Sequence, residues 1–220
     1  AKQMLWYSLI KESSVIYVCI DESPDELVES TQTMGFDLYP FFKTRRLGII
    51  DASELRSGFK HRGESPKIDL RDLKNIRKTL EKTINRLESR HVKLILDSLS
   101  TIDMQFGYEV AAQLLTTIKS IGVNVALFTY GYYDPQDESY RRYADMCRGV
   151  IELRAEQLAL GRFLRSFRLS VGNPGSSTWV MYQIQSAGIA CLAWGDPQDC
   201  DLCSIQNLLR TVSYASRIVR

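Results

Sequence analysis

An α/β protein is the fold this sequence predicts: a mostly parallel, twisted sheet flanked by helices, with an antiparallel hairpin extension near the C-terminal end. Three observations predict it. Short apolar runs of strand length alternate with segments of helical periodicity, a pattern that implies parallel strands joined by right-handed crossovers. The strand-like runs are apolar at nearly every position, as in Ser14–Ile20 (SVIYVCI), which is how a strand buried on both faces reads. Past residue 160 the helices give way to Phe163–Val171 and Thr178–Gln185, two strand-like runs flanking the turn tripeptide Asn173-Pro174-Gly175.

Taken in order, residues 1–11 are helical in mix, with Met4, Leu5, Tyr7, Leu9 and Ile10. The first strand, Ser14–Ile20, ends on Asp21-Glu22-Ser23-Pro24. Ser23 is a good helix cap, Pro24 suits the first helical position, and Asp25 and Glu26 suit the positive end of the helix. That helix runs to about Met34 and ends at Gly35. Leu47–Asp51 (LGIID) is a second strand, and residues 53–68, with Gly58, Gly63 and Pro66, read as a mobile loop. Asp69 is the expected cap of an amphipathic helix carrying Leu70, Leu73, Ile76, Leu80, Ile84 and Leu87 on one face. Its Arg71, Lys74, Lys78, Lys82 and Arg86 read as a solvated face balanced by Asp72, Glu81 and Glu88.

Val92–Asp97 (VKLILD) is the third strand, Gly107–Ile121 a helix, and Val123–Phe128 the fourth strand. Residues 135–147 read as helical, Gly149–Leu153 as a fifth strand, and Gly188–Ala193 as a short strand after the hairpin. Residues 203–219 close the chain as a helix, with Ile205, Leu208, Leu209, Val212, Ser216 and Val219 at helical spacing. The expected division is a core over residues 1–195 and a helical appendage over residues 196–220.

Composition bounds the function classes. The chain has 220 residues, 45% hydrophobic and 25% charged, enough for one sizeable core. A net charge of +2 gives no strong electrostatic footprint for nucleic acid. No apolar run approaches the ~20 residues that span a bilayer, so no membrane role is expected. Five cysteines, an odd count with no secretory leader, point to a reducing, cytoplasmic setting. Ala1-Lys2-Gln3-Met4 is neither a signal peptide nor an ordinary initiation site, and reads as the cut edge of a longer protein.

The segment richest in chemistry is Val92–Thr101 (VKLILDSLST). An apolar strand that ends in Asp97 and continues into Ser98 and Ser100 has the Walker B pattern. A parallel strand delivers such a carboxylate to the C-terminal edge of the sheet, where ligands of open α/β sheets bind. There it is placed to hold Mg²⁺, directly or through water, beside phosphates. The competing reading of Asp97 is a simple turn cap. Asp21 and Glu22 end another strand, one of them suited to act as general base on an attacking water; helix-start residues favoured by the dipole are the alternative. Thr129, after the fourth strand, is a further polar group at the same rim.

Other features carry less. Cys200-x-x-Cys203 lacks a second ligand pair, His61 and His91 being the two histidines, so buried or chance thiols are favoured over zinc. Cys19 reads as core, and Tyr130, Tyr132 and Tyr133 as loop aromatics packing on the domain rather than stacking on a base.

The order of these segments resembles the KaiC-like branch of the RecA superfamily of ATPases. That branch reads A-x-Q-F-L-Y in the helix after its phosphate loop, and here stands Ala1-Lys2-Gln3-Met4-Leu5-Trp6. Its E-E-S-P is matched by Asp21-Glu22-Ser23-Pro24 and its G-x-D-L by Gly35-Phe36-Asp37-Leu38. Its I-D-A-S stands at Ile50–Ser53, its V-x-I-D-S-[LV] at Leu94–Leu99, and its K-x-x-G-V-T at Lys119–Asn124. The I-x-x-x-G-I turn of its hairpin stands at Ile184–Ile189. The resemblance covers residues 1 to about 193.

The resemblance implies a RecA-like fold with ATP and Mg²⁺ as cofactors. Asp97, with Ser98 beside it, would hold Mg²⁺; Thr129 would sense the terminal phosphate; Asp21 and Glu22 would orient or activate water. Two departures qualify this. The family's phosphate loop, G-x-x-x-x-G-K-[ST], would stand before Ala1. The basic pair of the family's K-x-R-G, which reaches a neighbouring subunit's nucleotide in a ring, is missing from Leu169-Ser170-Val171-Gly172. Together with Asp21 in place of the usual Glu, this implies a slow or degenerate site in a regulatory or signalling ATPase, with a homo-oligomer left open. The alternative is a non-catalytic RecA-like module that binds protein partners or single-stranded nucleic acid.

Overall fold

A computed structural model describes residues 1–54, 65–131, 138–157, 163–171, 179–185 and 188–191. Several expectations lie outside them: most of the 53–68 loop, Tyr132 and Tyr133, the Asn173-Pro174-Gly175 turn, Gly172, Cys200 with Cys203, and residues 196–220 with their closing helix. The chain divides into two compact units, Ala1–Asp137 and Glu138–Arg220.

The first unit opens with α1 (Lys2–Ile10), β1 (Ser14–Cys19), α2 (Pro24–Thr33), α3 (Tyr39–Lys43) and β2 (Leu47–Asp51). It continues with α4 (Leu73–Ile84), β3 (Val92–Asp97), α5 (Leu99–Phe106), α6 (Tyr108–Ser120) and β4 (Val125–Phe128). The strands form one parallel sheet in the order β2-β1-β3-β4. All six β1 residues are buried, as its unbroken apolar run requires. β4 occupies one outer position among the described strands, and its four residues are half-buried.

Strand alternation splits the core into two faces. Val15, Tyr17 and Cys19 of β1 pack with Leu47 and Ile49 of β2, Ile95 of β3, Leu5 and Leu9 of α1, and Leu27 of α2. Trp6 of α1 stacks on Phe36 at 5.3 Å and meets Phe41 of α3 edge-on at 5.7 Å, which ties these helices to one another. The opposite face carries Ile16, Gly48 and α4, whose Thr83 methyl presses onto Gly48.

Local chemistry sets the helix starts. At α2, Ser23 Oγ accepts from the Glu26 backbone N–H while Glu26 Oε2 accepts from the Ser23 backbone N–H at 2.7 Å, a complete capping box with Pro24 at the first position. Ser23→Ala is expected to cost about 1–2 kcal/mol in urea unfolding; a loss below about 0.3 kcal/mol, the level of an uncapped end, would show that the box is idle. α4 starts at Leu73 and is capped by Asp72, whose side chain accepts from Asn75 N, and not by the expected Asp69. The Asp69 carboxylate instead accepts from the Arg71 backbone and guanidinium in a local turn.

Four further boundaries differ from expectation. Residues 66–68 line β2 through Asp51 N–H to Pro66 O (2.8 Å) and Ile68 N–H to Asp51 O (3.0 Å), so that end of the expected mobile loop is fixed. A helix unread in the sequence, α5, follows β3 directly, capped by Ser98, and Gly107 at φ 82° separates it from α6. β1 ends at Cys19, one residue early, and β4 begins at Val125, because Asn124 before it is occupied in closing the gap to Val92 through its backbone N–H and side-chain oxygen.

The second unit holds α7 (Glu138–Met146), β5 (Gly149–Gln157), β6 (Phe163–Val171), β7 (Val180–Gln185) and β8 (Gly188–Cys191). The strands are antiparallel in the order β5-β6-β7-β8. The expected hairpin is therefore present as β6 and β7. β5 is longer than the sequence implied and pairs antiparallel with β6 along its whole length, from Gly149↔Val171 to Gln157↔Phe163. Phe167 and Tyr182 form its small core with Ile151, Val180 and Ile189. The guanidinium groups of Arg154 and Arg168 lie over the Trp179 ring, at 4.0 and 4.7 Å from its centroid.

Candidate functional site: the C-terminal rim of the parallel sheet

Parallel strands all deliver their ends to one edge. The registers Cys19↔Asp51 and Cys19↔Asp97 put the last residues of β2, β1 and β3 in one row, and Thr129 N–H to Leu96 O (3.2 Å) carries that row past β4. Asp97 lies on the same face as Ile95, hence on the α1 side of the sheet.

Asp97 is half-buried and both its oxygens are engaged. Tyr17 donates its hydroxyl to Oδ2 at 2.7 Å, and Thr129 donates its hydroxyl to Oδ1. The fold brings Asp97 and Thr129, both expected at this rim, into direct contact. Ser98 is buried; its Oγ caps α5 and exchanges hydrogen bonds with Ser100 Oγ (3.0 Å) and Thr101 Oγ1 (3.1 Å). Asp21 joins this hydroxyl group as acceptor for Thr101, and its backbone N–H reaches Asp97 O at 3.3 Å.

Glu22 stands apart. Its Oε2 pairs with Lys2 Nζ at 2.8 Å and accepts weakly from Ser30 Oγ at 3.4 Å, and the same ammonium donates to Ser30 Oγ at 2.7 Å. Asp51 is buried and accepts from the Ser53 backbone and hydroxyl. Cys19 is also buried; burial, reinforced by the charges of Glu22, Asp51 and Asp97, holds its thiol protonated well above the ordinary range. It reads as an inert core thiol.

The first residue, at the head of α1, lies within electrostatic reach of Asp97 and Glu22. The positive end of that helix therefore faces the rim. The donor set there is oxygen only: Asp97, Ser98, Thr129 and Asp21. Hard oxygen donors with one or two carboxylates fit Mg²⁺, which keeps waters and takes its remaining ligands from phosphate. No cluster of three or more His, Cys, Asp or Glu suited to a metal ion is present among the described residues.

Sequence reasoning missed three members of the site. Tyr17 was hidden inside an apolar run, although it is the one polar-tipped side chain of SVIYVCI on the Cys19 face. Thr101 carries a cap-spacing signal, three residues past Ser98. Lys2 had none, since its partner is 20 residues away. The Leu169–Gly172 stretch adds nothing basic, and nearby Arg168 is held by Glu152 at 2.7 Å in the second unit. Among the described residues no helix is long and apolar enough to cross a membrane.

A family model described as "ATPase: KaiC" matches residues 1–193. A KaiC-like protein of the archaeon Pyrococcus horikoshii has a similar fold, with a TM-score of 0.63 at 17% identity over 85% of this chain and 80% of that one. A UPF0273 protein of Thermotoga maritima is 25% identical over 105 residues, which are 46% of this chain and 42% of that protein; the match thus spans under half of that relative's length. The chain therefore belongs to the KaiC-like ATPase family of the RecA superfamily.

Proposed function

We propose that this chain is the core of a Mg²⁺-dependent ATP-binding domain with slow or degenerate hydrolysis, serving a regulatory or signalling role in the cytoplasm. The observation that carries the reading is the pinned Asp97 carboxylate at the C-terminal rim, between Tyr17 and Thr129. In this reading Asp97 holds Mg²⁺ with Ser98 beside it, Thr129 stands at the terminal phosphate, and Asp21 and Glu22 orient water. When bound, Mg²⁺ offsets phosphate charge.

Slow turnover is supported by what already occupies the acids. Glu22 Oε2 is held by Lys2, and Asp21 by Thr101. These partners compete with a water for the oxygens they hold. The Leu169–Gly172 stretch offers no cation to a neighbouring copy's nucleotide, so any homo-oligomer works without that contact. The same occupied acids favour a second reading, a non-catalytic module for a protein or single-stranded nucleic acid partner. In that reading Asp97→Asn and Glu22→Gln leave partner binding intact.

Calorimetric titration of the full-length protein decides. ATP is expected to bind in Mg²⁺. Asp97→Asn weakens that binding roughly thirtyfold and leaves binding in EDTA unchanged, the pattern for loss of a metal-holding carboxylate. No ATP binding by the unaltered protein would overturn the nucleotide reading.

A further inference from the structure

We infer that Tyr17 is a positioning residue for the metal-holding carboxylate, fixing Asp97 from inside the core; the inference rests on the nucleotide reading above and deepens it. Tyr17 is fully buried, with its ring in the cluster formed by Leu5, Leu9, Val15 and Leu27. In the register it pairs with Ile95, one same-face row beneath Cys19 and Asp97. Its ring thus spans the row below the rim, and the hydroxyl emerges under Oδ2 of Asp97 at 2.7 Å. An O–H···O⁻ bond is among the stronger and more directional hydrogen bonds.

A carboxylate on a strand end turns about two torsions. Here each oxygen is held by a different strand's hydroxyl: Oδ2 by Tyr17 of β1, Oδ1 by Thr129 after β4. With both oxygens held, the remaining lone pairs have set directions, which is what a metal with strict octahedral preference needs. The packing also links α1 to the site. Leu5 and Leu9 of α1 belong to the same buried cluster as the ring.

Tyr17→Phe deletes one oxygen and keeps the ring, so the core stays filled. At fixed ATP, the Mg²⁺ concentration giving half-maximal binding is expected to rise about tenfold, as for other hydrogen-bond partners of metal ligands. ATP binding in EDTA is expected to stay the same. In an Asp97→Asn background, Tyr17→Phe should add no further shift, because the role runs through Asp97. An equal loss with and without Mg²⁺ would overturn the inference, since it would mark general disturbance of the fold. An unchanged Mg²⁺ midpoint, where the unaltered protein binds Mg²⁺ and ATP, would overturn it alone. Absence of Mg²⁺-dependent binding in the unaltered protein would overturn the nucleotide reading and this role together.

Discussion

Raising the pH from 8 to 11 is expected to remove about 4 kcal/mol of folding stability, in two stages set by Cys19 and then Tyr17. In the unfolded chain the thiol gives up its proton near its ordinary value of 9.0 and the phenol near 10.0. In the folded chain both values are raised, chiefly by burial. For Cys19 the charges of Glu22, Asp51 and Asp97 add to it, and for Tyr17 the charge and hydrogen bond of Asp97. Above those ordinary values the unfolded state binds fewer protons than the folded state, so stability falls as pH rises. Below pH 9 both contributions are fully present. Each group then costs about 1.4 kcal/mol per pH unit, roughly 2.7 kcal/mol for Cys19 between pH 9 and 11 and 1.4 kcal/mol for Tyr17 between 10 and 11. Urea unfolding at pH 8, 9, 10 and 11 reads this directly. Cys19→Ala should delay the onset to about pH 10, and Tyr17→Phe should flatten the limb above it. A stability that stays level from pH 8 to 11 would show that neither group is held as the packing indicates.

The two groups that set this pH limit belong to the structure beneath the rim. A row of carboxylates at the end of a parallel sheet repels itself, and it is tolerated because each member is tied down locally. Asp51 is held by Ser53, Asp97 by Tyr17 and Thr129, Asp21 by Thr101, and Glu22 by Lys2. Neutral hydroxyl donors hold three members of the row and one ammonium holds the fourth.

How much of this was legible depended on how local the cause was. β2 and β3 were readable to the residue and β1 to within one, because a β-branched apolar run bounded by polar residues leaves few other choices. Asp69 and Asp72 both suit a cap, and only the folded backbone selects Asp72. α5 escaped notice because Ser98-Leu99-Ser100-Thr101 reads as loop hydroxyls until Ser98 is seen to cap it. The antiparallel partner of β5 is a tertiary fact that no run of residues announces. At the site, strand ends could be named in advance, since topology alone delivers them to one edge. Tyr17 and Lys2 could not, because a tyrosine in an apolar run reads as core and a lone lysine as surface.

Replacing Gly48 with valine is expected to cost about 3 kcal/mol, at the top of the range for overpacking a well-filled site. Gly48 sits in β2 opposite Ile16 and faces Thr83 of α4. A Cβ there would stand 2.7 Å from Thr83 Cγ2, with Leu87 Cδ2 at 3.8 Å and Ile16 Cγ1 at 3.9 Å closing the space around it. Thr83 cannot turn away cheaply, because it is buried and its hydroxyl donates to Thr79 O at 2.8 Å, which sets the rotamer that aims the methyl at the strand. The conflict is therefore between one methyl and one Cβ, and a double-mutant cycle isolates it. Gly48→Ala alone should cost about 2 kcal/mol. Thr83→Ser alone keeps the hydroxyl bond, deletes the methyl and should cost about 1 kcal/mol. With the methyl gone, the alanine fills the vacated space and also lowers the entropy of the unfolded chain, so Gly48→Ala in the Thr83→Ser background should stabilise by roughly 0.5 kcal/mol. The coupling between the two sites is then about 2.5 kcal/mol in urea unfolding. An equal cost for Gly48→Ala in both backgrounds would mean that the close approach of α4 to β2 is not what requires glycine there.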